Sequence, residues 1–472
     1  MGQEITQSSF DKQDFAEFQR RLVDETRLLQ QWMDDGLLET DEPMAGSEIE
    51  AWLVDDQGQA AAVNQAFLAH MNDPMVVPEL SAFNVELNTK PRHYGDGMLE
   101  RMHAELEDLW QRCEKTARVH GAHMLMIGIL PTIQQSALCL ANISSMQRYQ
   151  ALNEQVLHMR NGEPLRIDIR GREHLFISHE DVMLEAATTS LQLHLKISAS
   201  KAARAYNLSK MISAPMVALS ANSPYLFGRD LWEETRIPLF EQSVAVGASD
   251  YSKRVTFGIR FVEHSVMECF DANRDRYPVL LPQLMDTPRE ELAHLRLHNG
   301  SIWRWNRPLV GFDDDGRPHC RIEHRVAPSG PSTRDVIANS AFYFGLVTEY
   351  LETEQEAEVR LPFFRVKEDF YHCAYSGLDA KVTWLDGQTG NVSELILQKL
   401  LPAARRGLER MGVSENEAQY WLGIIRDRVS SEQTGAQWQR SWVAAHGDDF
   451  SSLVQSYLLN QLSGRPVHQW TV

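Results

Sequence analysis

The sequence predicts an α+β protein in which helices flank a mixed or antiparallel sheet. Several short segments alternate apolar and polar residues as half-buried strands do, and several longer segments place apolar residues at helical spacing. The two kinds of segment do not alternate as regular βαβ units, which disfavours a doubly wound parallel sheet. An apolar fraction of 43% and a charged fraction of 24% are ordinary for a globular protein.

Helical patterns dominate both ends of the chain and its middle. Near the N-terminus Phe15, Phe18 and Leu22 recur at helical spacing, and further along Ser332 and Asp335 stand at capping-box spacing. The apolar stretch "HMLMIGILP", residues 123–131, predicts a fully buried strand. The predicted helices cover 12–34, 98–120, 200–218, 333–353 and most of the chain from about 390 to the end.

The domain organisation is inferred from the absence of sequence features that would divide the chain. No internal repeat, low-complexity tract or long linker divides the chain, so a single compact unit is expected. We assign residues 1–385, including the helix at 12–34, to one main domain. Residues 386–472 are predicted to form a C-terminal helical layer packed on that domain, because their pattern is mostly helical.

Charge and cysteine content narrow the class of partner. The formal net charge is −19, whereas nucleic acids and anionic membranes require a basic footprint, so neither is expected as the main partner. No stretch approaches the roughly 18–20 apolar residues of a membrane span. The five cysteines are scattered and lack any C-x-x-C pair. This favours buried thiols in a reduced, cytoplasmic setting over disulfides.

Four predicted strands share an unusual polar face. In "GSEIEAWLVDD", residues 46–56, Glu48, Glu50 and Trp52 lie on one side, because residues two apart in a strand share a face. The segments "FNVELNT", "LQLHLKIS" and "CRIEHRV" repeat the alternation. A solvated face would be rich in Lys, Thr, Ser and Gln, but these faces carry acids, amides, an imidazole and arginines. The residues are Glu48, Glu50, Asn84, Glu86, Asn88, Gln192, His194, Lys196, Arg321, Glu323 and Arg325.

Such faces predict a platform for metal ions and a nucleotide. Carboxylates on adjacent strands repel one another unless cations lie between them. Mg²⁺ and Mn²⁺ prefer hard oxygen ligands with an occasional imidazole, and Arg beside a carboxylate suits a phosphoryl oxygen. The chain has neither a G-x-x-x-x-G-K-[ST] loop nor a G-x-G-x-x-G turn. If ATP binds, metals and arginines must therefore hold its phosphates.

These segments resemble glutamate–cysteine ligase family 2, the carboxylate–amine ligases. The resemblance runs from about residue 40 to about 350 through "GSEIEAWLVD", "ELSAFNVELNT", "SLQLHLKI", "ANSPYLFGR" and "RIEHRVAPSGPSTRDVIANSAFYFGL". It implies a glutamine-synthetase-like fold, in which a curved antiparallel sheet forms a funnel for ATP and two or three Mg²⁺ or Mn²⁺ ions. It also implies that a carboxylate, typically the γ-carboxylate of glutamate, is activated as an acyl phosphate that an amine then displaces.

The resemblance also implies roles for individual residues. It makes the acids and the imidazole of the polar faces metal ligands: Glu48, Glu50, Glu86, His194 and Glu323. Arg325 would lie near the transferred phosphoryl group, which makes Glu323 and Arg325 the candidate catalytic pair. Gln192 stands where some relatives have a second His, so one metal position is expected to be weaker or to use the amide oxygen. Gln192 and Asn88 are candidates for contact with substrate or nucleotide.

Five further arginines are candidates for binding substrate or nucleotide. Arg304 and Arg307 lie in the aromatic and basic stretch "HNGSIWRWNRP", where a surface strand with Arg stacked on Trp is the alternative. Arg229 and Arg236 follow "ANSP", and a helix-surface ion pair would explain them equally well. Arg148, which precedes a Tyr, either borders the site or only packs its own helix.

The sequence therefore predicts an ATP-dependent carboxylate–amine ligase of the glutamate–cysteine ligase type that acts on small molecules. Two alternatives keep the fold: a phosphotransferase that acts on a carboxylate or guanidino group, and a non-catalytic sensor of ATP or an amino acid. A role in glutathione biosynthesis would follow if cysteine were the amine, but the pocket residues that select the amine cannot be placed from sequence. A homo-oligomer is left open.

Overall fold

The structure is a computed structural model that describes residues 5, 7, 10–40, 42–246 and 253–472. Its strands are β1 (Met44–Val54), β2 (Val76–Pro78), β3 (Asn84–Asn88), β4 (Arg92–His93), β5 (His123–Leu125), β6 (Leu165–Arg170), β7 (His174–His179), β8 (Ser190–Ile197), β9 (Tyr225–Leu226), β10 (Arg229–Asp230), β11 (Asn306–Phe312), β12 (Pro318–Pro328), β13 (Lys381–Thr383) and β14 (Thr389–Asn391).

Its helices are α1 (Lys12–Asp34), α2 (Asn64–Met71), α3 (Met98–Val119), α4 (Gln147–Met159), α5 (Ala199–Ser220), α6 (Arg236–Ser243), α7 (Met267–Arg276), α8 (Ala293–Gly300), α9 (Thr333–Thr353), α10 (Ala357–Arg360), α11 (Phe363–Ser376), α12 (Val392–Leu395), α13 (Leu401–Arg410), α14 (Glu415–Ser430), α15 (Gly435–His446) and α16 (Phe450–Leu462). Within the described ranges, no helix is both long and apolar enough to cross a membrane.

A curved antiparallel sheet organises the fold. Its main path is β11–β12–β8–β1–β3–β2, and β4 and β5 pair with β1 off this path. Neighbouring strands run antiparallel throughout. The predicted α+β class and the antiparallel sheet are confirmed.

The core lies on the apolar side of this sheet. Ile49, Ala51 and Leu53 of β1 are fully buried there, as their alternation with the glutamates predicts. Helices α5 and α9 pack against each other and against β8 and β12, and nearly all of their residues are buried. Because helices cover this face, the opposite face is left to the polar side chains.

The predicted long helices are found close to their expected bounds. Helix α1 spans the predicted residues, and the Asp11 side chain caps it by accepting from the backbone N–H groups of Gln13 and Asp14. Helix α9 likewise begins after Ser332, whose hydroxyl accepts the backbone N–H of Asp335. The N-terminus of α9 could be located because its capping side chain leaves a short-range signal in the sequence, whereas α1 was predicted from the spacing of its apolar residues.

Two strand predictions are wrong in part. The strand predicted over 123–131 ends at Leu125, since the N–H of Met126 donates to the Gln461 side chain and that of Gly128 donates to the carbonyl of Asn222. These bonds replace a sheet ladder. Trp52 does not share the open polar face with the glutamates: it is fully buried and stacks on Phe83 at 5.4 Å.

The C-terminal helices pack on the rest of the chain. Arg428 of α14 forms a fully buried ion pair with Asp335 at the N-terminus of α9, at 2.7 Å. Tyr457 of α16 donates to the carbonyl of Met126 at 2.8 Å. These contacts place the helices after residue 386 against the catalytic fold, whereas a domain division at 385/386 remains a proposal.

Candidate active site

The polar face of the sheet lines a cavity of about 430 Å³. The glutamates of β1 and β3 line it from one part of the sheet, and the arginines of β11 and β12, with Glu323 between them, line it from another. The acids of the wall include Glu48, Glu50, Glu79, Glu86, Glu185 and Glu323. The arginines of the wall are Arg148, Arg296, Arg307, Arg321 and Arg325. One cavity can therefore hold cations and an anionic ligand next to each other.

The acidic side is organised by the register of β1 and β3. Glu50 pairs directly with Glu86 across these strands, and Glu79 follows β2 at the edge. Carboxylate oxygens of Glu50, Glu79 and Glu86 all lie within 4.8 Å of one another. Oxygens at this separation can share one cation, and without a cation the negative charges repel.

Burial and mutual repulsion perturb the pKa values of these acids. Burial, followed by repulsion from Glu48, raises the pKa of Glu86 to about 8. Burial and repulsion from Glu86 and Glu50 raise the pKa of Glu79 well above its usual value. Burial and repulsion from Glu50 raise the pKa of Glu185 to about 8. The acidic side thus holds protons at neutral pH unless a metal ion replaces them.

The middle of the sheet carries the imidazole and the acid of the late strand. Glu323 of β12 pairs with His194 of β8 on one side and with Arg307 of β11 on the other. His194 Nε2 lies 3.3 Å from Glu48 Oε1. His194 Nδ1 is buried and has no hydrogen-bond partner among the described residues. A buried imidazole with an orphaned nitrogen between two carboxylates fits a metal position.

Glu323 is held as a carboxylate by two arginines. Its Oε2 accepts a hydrogen bond from Arg307 at 2.8 Å, and its Oε1 lies 3.0 Å from Arg325 Nε. Burial opposes ionisation of Glu323, but Arg307 and Arg325 outweigh it and lower the pKa to about 2. This acid, unlike those on the acidic side, is therefore fully charged without a metal ion.

Amide side chains connect the two sides. Gln192 Oε1 accepts a hydrogen bond from Arg325 at 2.6 Å, and its Nε2 donates to Glu50 at 3.0 Å. Asn88 donates to Glu86 Oε1 at 3.1 Å. Since its oxygen is taken by Arg325, Gln192 in this arrangement orients charged neighbours, and ligation of a metal by its amide remains a prediction.

The candidate arginines divide between the cavity and the rest of the molecule. Arg307 and Arg148 line the cavity, and the Arg148 guanidinium lies 5.1 Å from the ring centroid of Tyr149, which also lines it. Arg229 does not reach the cavity: it is exposed on the β9–β10 hairpin and pairs with Glu173 at 2.9 Å. Its position favours the alternative interpretation, a surface ion pair, although on a hairpin and not on a helix.

Arg236 and Arg304 also lie away from the cavity. Arg236 is fully buried, pairs with Glu234 at 3.0 Å and donates to the carbonyl of Arg325, so it supports β12 from behind. Arg304 lines a second, separate cavity. Because neither side chain lines the main cavity, the geometry does not support contact with a ligand bound there.

Sequence reasoning gave no role to several charged wall residues. Glu79 lies in the loop directly after β2 and Glu185 in a 3-10 helix, where no alternation marks an inward side chain. Arg321 was placed on the correct face but given no role, and Arg296 of α8 reaches the cavity from outside the sheet. Neither of these two arginines has a carboxylate within 4.0 Å in the described part of the chain. The only signal for these two arginines in the sequence would have been that arginines outnumber the acids close to them.

The donor set fits divalent metal ions. Carboxylate oxygens are clustered on the acidic side, and the orphaned imidazole lies between Glu48 and Glu323. This is an oxygen-rich set with one nitrogen, which suits Mg²⁺ or Mn²⁺ better than the soft metals that thiolates select. All five cysteines are free, and none lines the cavity.

Comparisons with known proteins agree with this arrangement. The model of glutamate–cysteine ligase family 2 matches residues 44–456. The structure of the glutamate–cysteine ligase of Francisella tularensis in complex with AMP is 13% identical, with a TM-score of 0.57 over 90% of each chain. A bifunctional glutathione synthetase from Pasteurella multocida is 12% identical, with a TM-score of 0.50 over 93% of this chain and 55% of that chain. No curated protein sequence matches the chain.

Fold, site and family match together define an ATP-dependent carboxylate–amine ligase with glutamine-synthetase-like architecture. The chain belongs to glutamate–cysteine ligase family 2, because the family model covers most of its length. The resemblance predicted from the strand motifs is thereby confirmed. Membership implies ATP and a divalent metal ion as cofactors.

Proposed function

We propose that the protein joins the γ-carboxylate of glutamate to an amino group, with ATP as the phosphoryl donor and an acyl phosphate as intermediate. The observation that carries this proposal is that one cavity is lined both by a cluster of carboxylates and by a group of arginines. Phosphoryl transfer depends on positioning and charge neutralisation, and both kinds of group are present. Cysteine is the first acceptor to test, and it would place the reaction in glutathione biosynthesis.

We propose that two sets of residues hold two to three metal ions. Glu50, Glu79 and Glu86 form the first set, and Glu48, His194 and Glu323 form the second. When bound, Mg²⁺ or Mn²⁺ would neutralise phosphate oxygens and polarise the phosphorus. Asn88 and Gln192 would hold the orientation of the first set through their hydrogen bonds to Glu86 and Glu50.

The arginines would handle the negative charge of the substrates. Arg325, fixed between Gln192 and Glu323, would stabilise charge on the migrating phosphoryl group. Among the described residues, no carboxylate lies within 4.0 Å of Arg296 or Arg321, so both could bind a phosphate or a substrate carboxylate. The substrate carboxylate is itself the nucleophile, which explains why the reaction needs no Ser or Cys of the protein.

The test is release of ADP and phosphate from ATP, Mg²⁺ and glutamate across a panel of amines that includes cysteine. Amine-dependent release, abolished in Arg325→Gln, is the expected result. ADP formed without an amine, with a stable phosphorylated product, would indicate the phosphotransferase instead. Tight metal-dependent ATP binding without turnover on any amine would indicate the sensor. Arg229→Gln is the control, because Arg229 lies on an exposed hairpin and its loss should leave turnover unchanged.

Metal binding is expected to release protons. Glu86 and Glu185 have pKa values raised to about 8, so at pH 7 each is largely protonated without metal, and a bound cation must displace those protons. Calorimetric titration with Mn²⁺ in buffers of different ionisation enthalpy measures the number released. We expect about one to two protons per protein molecule at pH 7 and fewer at pH 9. Equal heats in all buffers at pH 7 would contradict the prediction.

A further inference from the structure

Strand β12 carries a β-bulge at Arg325. Between His324 and Ala327, three steps along β12 match two steps along β8, so β12 holds one extra residue there. Arg325 and Val326 together oppose the single residue Gln192. A bulge bends its strand and redirects side chains, and this one lies at the arginine whose guanidinium bonds to Gln192 at 2.6 Å. The direction of the Arg325 side chain therefore depends on how the bulge is held.

The bulged backbone is bonded to Arg236, the first residue of helix α6. The carbonyl oxygen of Arg325 accepts from Arg236 Nη1 at 3.4 Å, and that of Val326 accepts from Arg236 Nη2. A bulge disrupts the strand ladder locally, and a buried carbonyl without a partner is costly. Arg236 supplies donors to both carbonyls from one planar group, and a lysine cannot reproduce that fork.

Arg236 is itself fixed by buried neighbours. Its Nε lies 3.0 Å from Glu234 Oε1, and both side chains are fully buried. Its guanidinium also lies 5.3 Å from the ring centroid of Trp305. The carbonyl of Trp305 accepts the backbone N–H of Arg325 at 3.0 Å. Arg236 and Trp305 thus hold the backbone of Arg325 at its carbonyl and at its N–H group.

The "ANSP" motif anchors this arrangement. The backbone N–H of Asn222 donates to Glu234 Oε2 at 2.8 Å, and the Ser223 hydroxyl accepts the N–H of Arg236 at 3.2 Å. The Asn222 side chain donates to the carbonyl of Ser329, directly after β12, at 2.8 Å. The sequence marked this motif only through a family resemblance. In the structure it ties the start of α6 to the end of β12.

We propose that Arg236 is a positioning residue: it holds the β-bulge of β12 in the conformation that directs Arg325 towards Glu323 and Gln192 in the cavity. In the sequence Arg236 was a candidate for contact with substrate. The geometry gives it a role that it exerts through Arg325. The expected effect on turnover rests on the proposed function, whereas the effect on the contacts of Arg325 does not require ligase activity.

The first test is the steady-state kinetics of Arg236→Lys, which keeps a positive charge beside Glu234 but loses the forked donors. We expect kcat to fall by about 100-fold, because a displacement of about 1 Å at a reacting group has an effect of that size. The KM values for ATP and glutamate should change little, since the lost interaction acts in the transition state. The matched control is Arg428→Lys. Arg428 is also fully buried, pairs with Asp335 at 2.7 Å and donates to the carbonyl of Leu219, but it does not line the cavity. Its kcat should stay close to that of the wild type.

A second pair of variants separates positioning from stability. Arg236→Gln leaves Glu234 as an unpaired buried charge, whereas the double variant Glu234→Gln/Arg236→Gln removes both charges. The double variant should therefore unfold at a higher urea concentration than Arg236→Gln. Its kcat should remain as low as that of Arg236→Gln, because glutamine lacks the guanidinium fork. Recovery of kcat together with stability would overturn the proposal.

A double-mutant cycle on urea unfolding in EDTA needs no turnover. It combines Arg236→Lys with Arg325→Gln. If Arg236 acts through Arg325, the double variant should be less destabilised than the product of the two single effects on the unfolding constant, by about tenfold. The same cycle with Arg428→Lys should be additive. A wild type without turnover on any amine would contradict the proposed function, and this cycle would still decide the role of Arg236. Additive effects of Arg236→Lys and Arg325→Gln, or a loss of kcat no larger than in Arg428→Lys, would each overturn the proposal.

Discussion

Glu323→Gln is expected to abolish ligation and to destabilise the protein in the same step. The Glu323 carboxylate is 2% exposed and is contacted by Arg307 at 2.8 Å and by Arg325 at 3.0 Å. Removing its charge leaves two buried guanidinium groups without the carboxylate that contacts them, which costs about 3–5 kcal/mol. Turnover should fall by at least about 100-fold, because Arg325 loses the contact that orients it.

The pH dependence of this stability difference follows from the pKa. Glu323 has a pKa of about 2 in the folded protein and an ordinary value of 4.5. A lowered pKa stabilises the fold above the ordinary value, and that contribution is lost as the pH falls from 4.5 towards 2. Urea unfolding of wild type and variant, with EDTA present, should therefore show the full difference at pH 7 and a shrinking difference in acid.

The matched control is Glu173→Gln. Glu173 also pairs with an arginine, Arg229, at 2.9 Å, but its side chain is 41% exposed. An exposed pair contributes about 0–1 kcal/mol, so this variant should unfold almost as the wild type does. If Glu323→Gln proved as stable as Glu173→Gln, the two arginines would not depend on Glu323, and its assigned role would be wrong.

The sequence predicted which side of a strand each residue lies on better than it predicted which residues of other strands it contacts. Period-two alternation decides that Glu48 and Glu50 share a side, because this is a local property of an extended chain. The contact of Glu50 with Glu86 depends on the register between β1 and β3, which no local pattern encodes. The strand motifs of a known family supplied that long-range information.

Period-two alternation could not predict the direction of side chains outside regular strands. Glu79 reaches the acidic side from a loop and Glu185 from a 3-10 helix, so only tertiary packing brings them there. Arg304 and Arg307 are three residues apart and looked equivalent in the sequence. Strand β11 begins at Asn306, so alternation directs Arg307 into the cavity, whereas Arg304 precedes the strand and faces the other side.

Glu86→Gln is expected to have the opposite effect on stability. Glu86 lies in the same cavity as Glu323. The substitution should also abolish turnover, because it removes a proposed metal ligand. Its surroundings are acidic, however, and its pKa is raised from 4.5 to about 8 by burial and by repulsion from neighbouring glutamates. A raised pKa means that the folded state is favoured at low pH and loses stability as the pH rises through 8.

In EDTA at pH 8 the metal-free Glu86→Gln variant should therefore be more stable than the wild type, by on the order of 2 kcal/mol. At pH 5 the difference should nearly vanish, since the wild-type carboxyl is then protonated. Asn88 lies 3.1 Å from Glu86 Oε1, and a glutamine can keep that contact through its oxygen. Urea unfolding at both pH values measures the effect, and a variant less stable than the wild type at pH 8 would contradict it.

Saturating Mg²⁺ should reverse the order of the two proteins. The wild type gains stability from binding that the variant has lost, in proportion to the logarithm of the metal concentration over the dissociation constant. Glu185→Gln, in which a second acid with a pKa of about 8 is neutralised, should also be more stable than the wild type in EDTA at pH 8. A Glu→Gln exchange would then destabilise the protein where arginines surround the glutamate. It would stabilise the protein where other acids surround the glutamate. Such a result would mean that the acidic side is strained without its cation, and that binding of metal ions completes the fold as well as the active site.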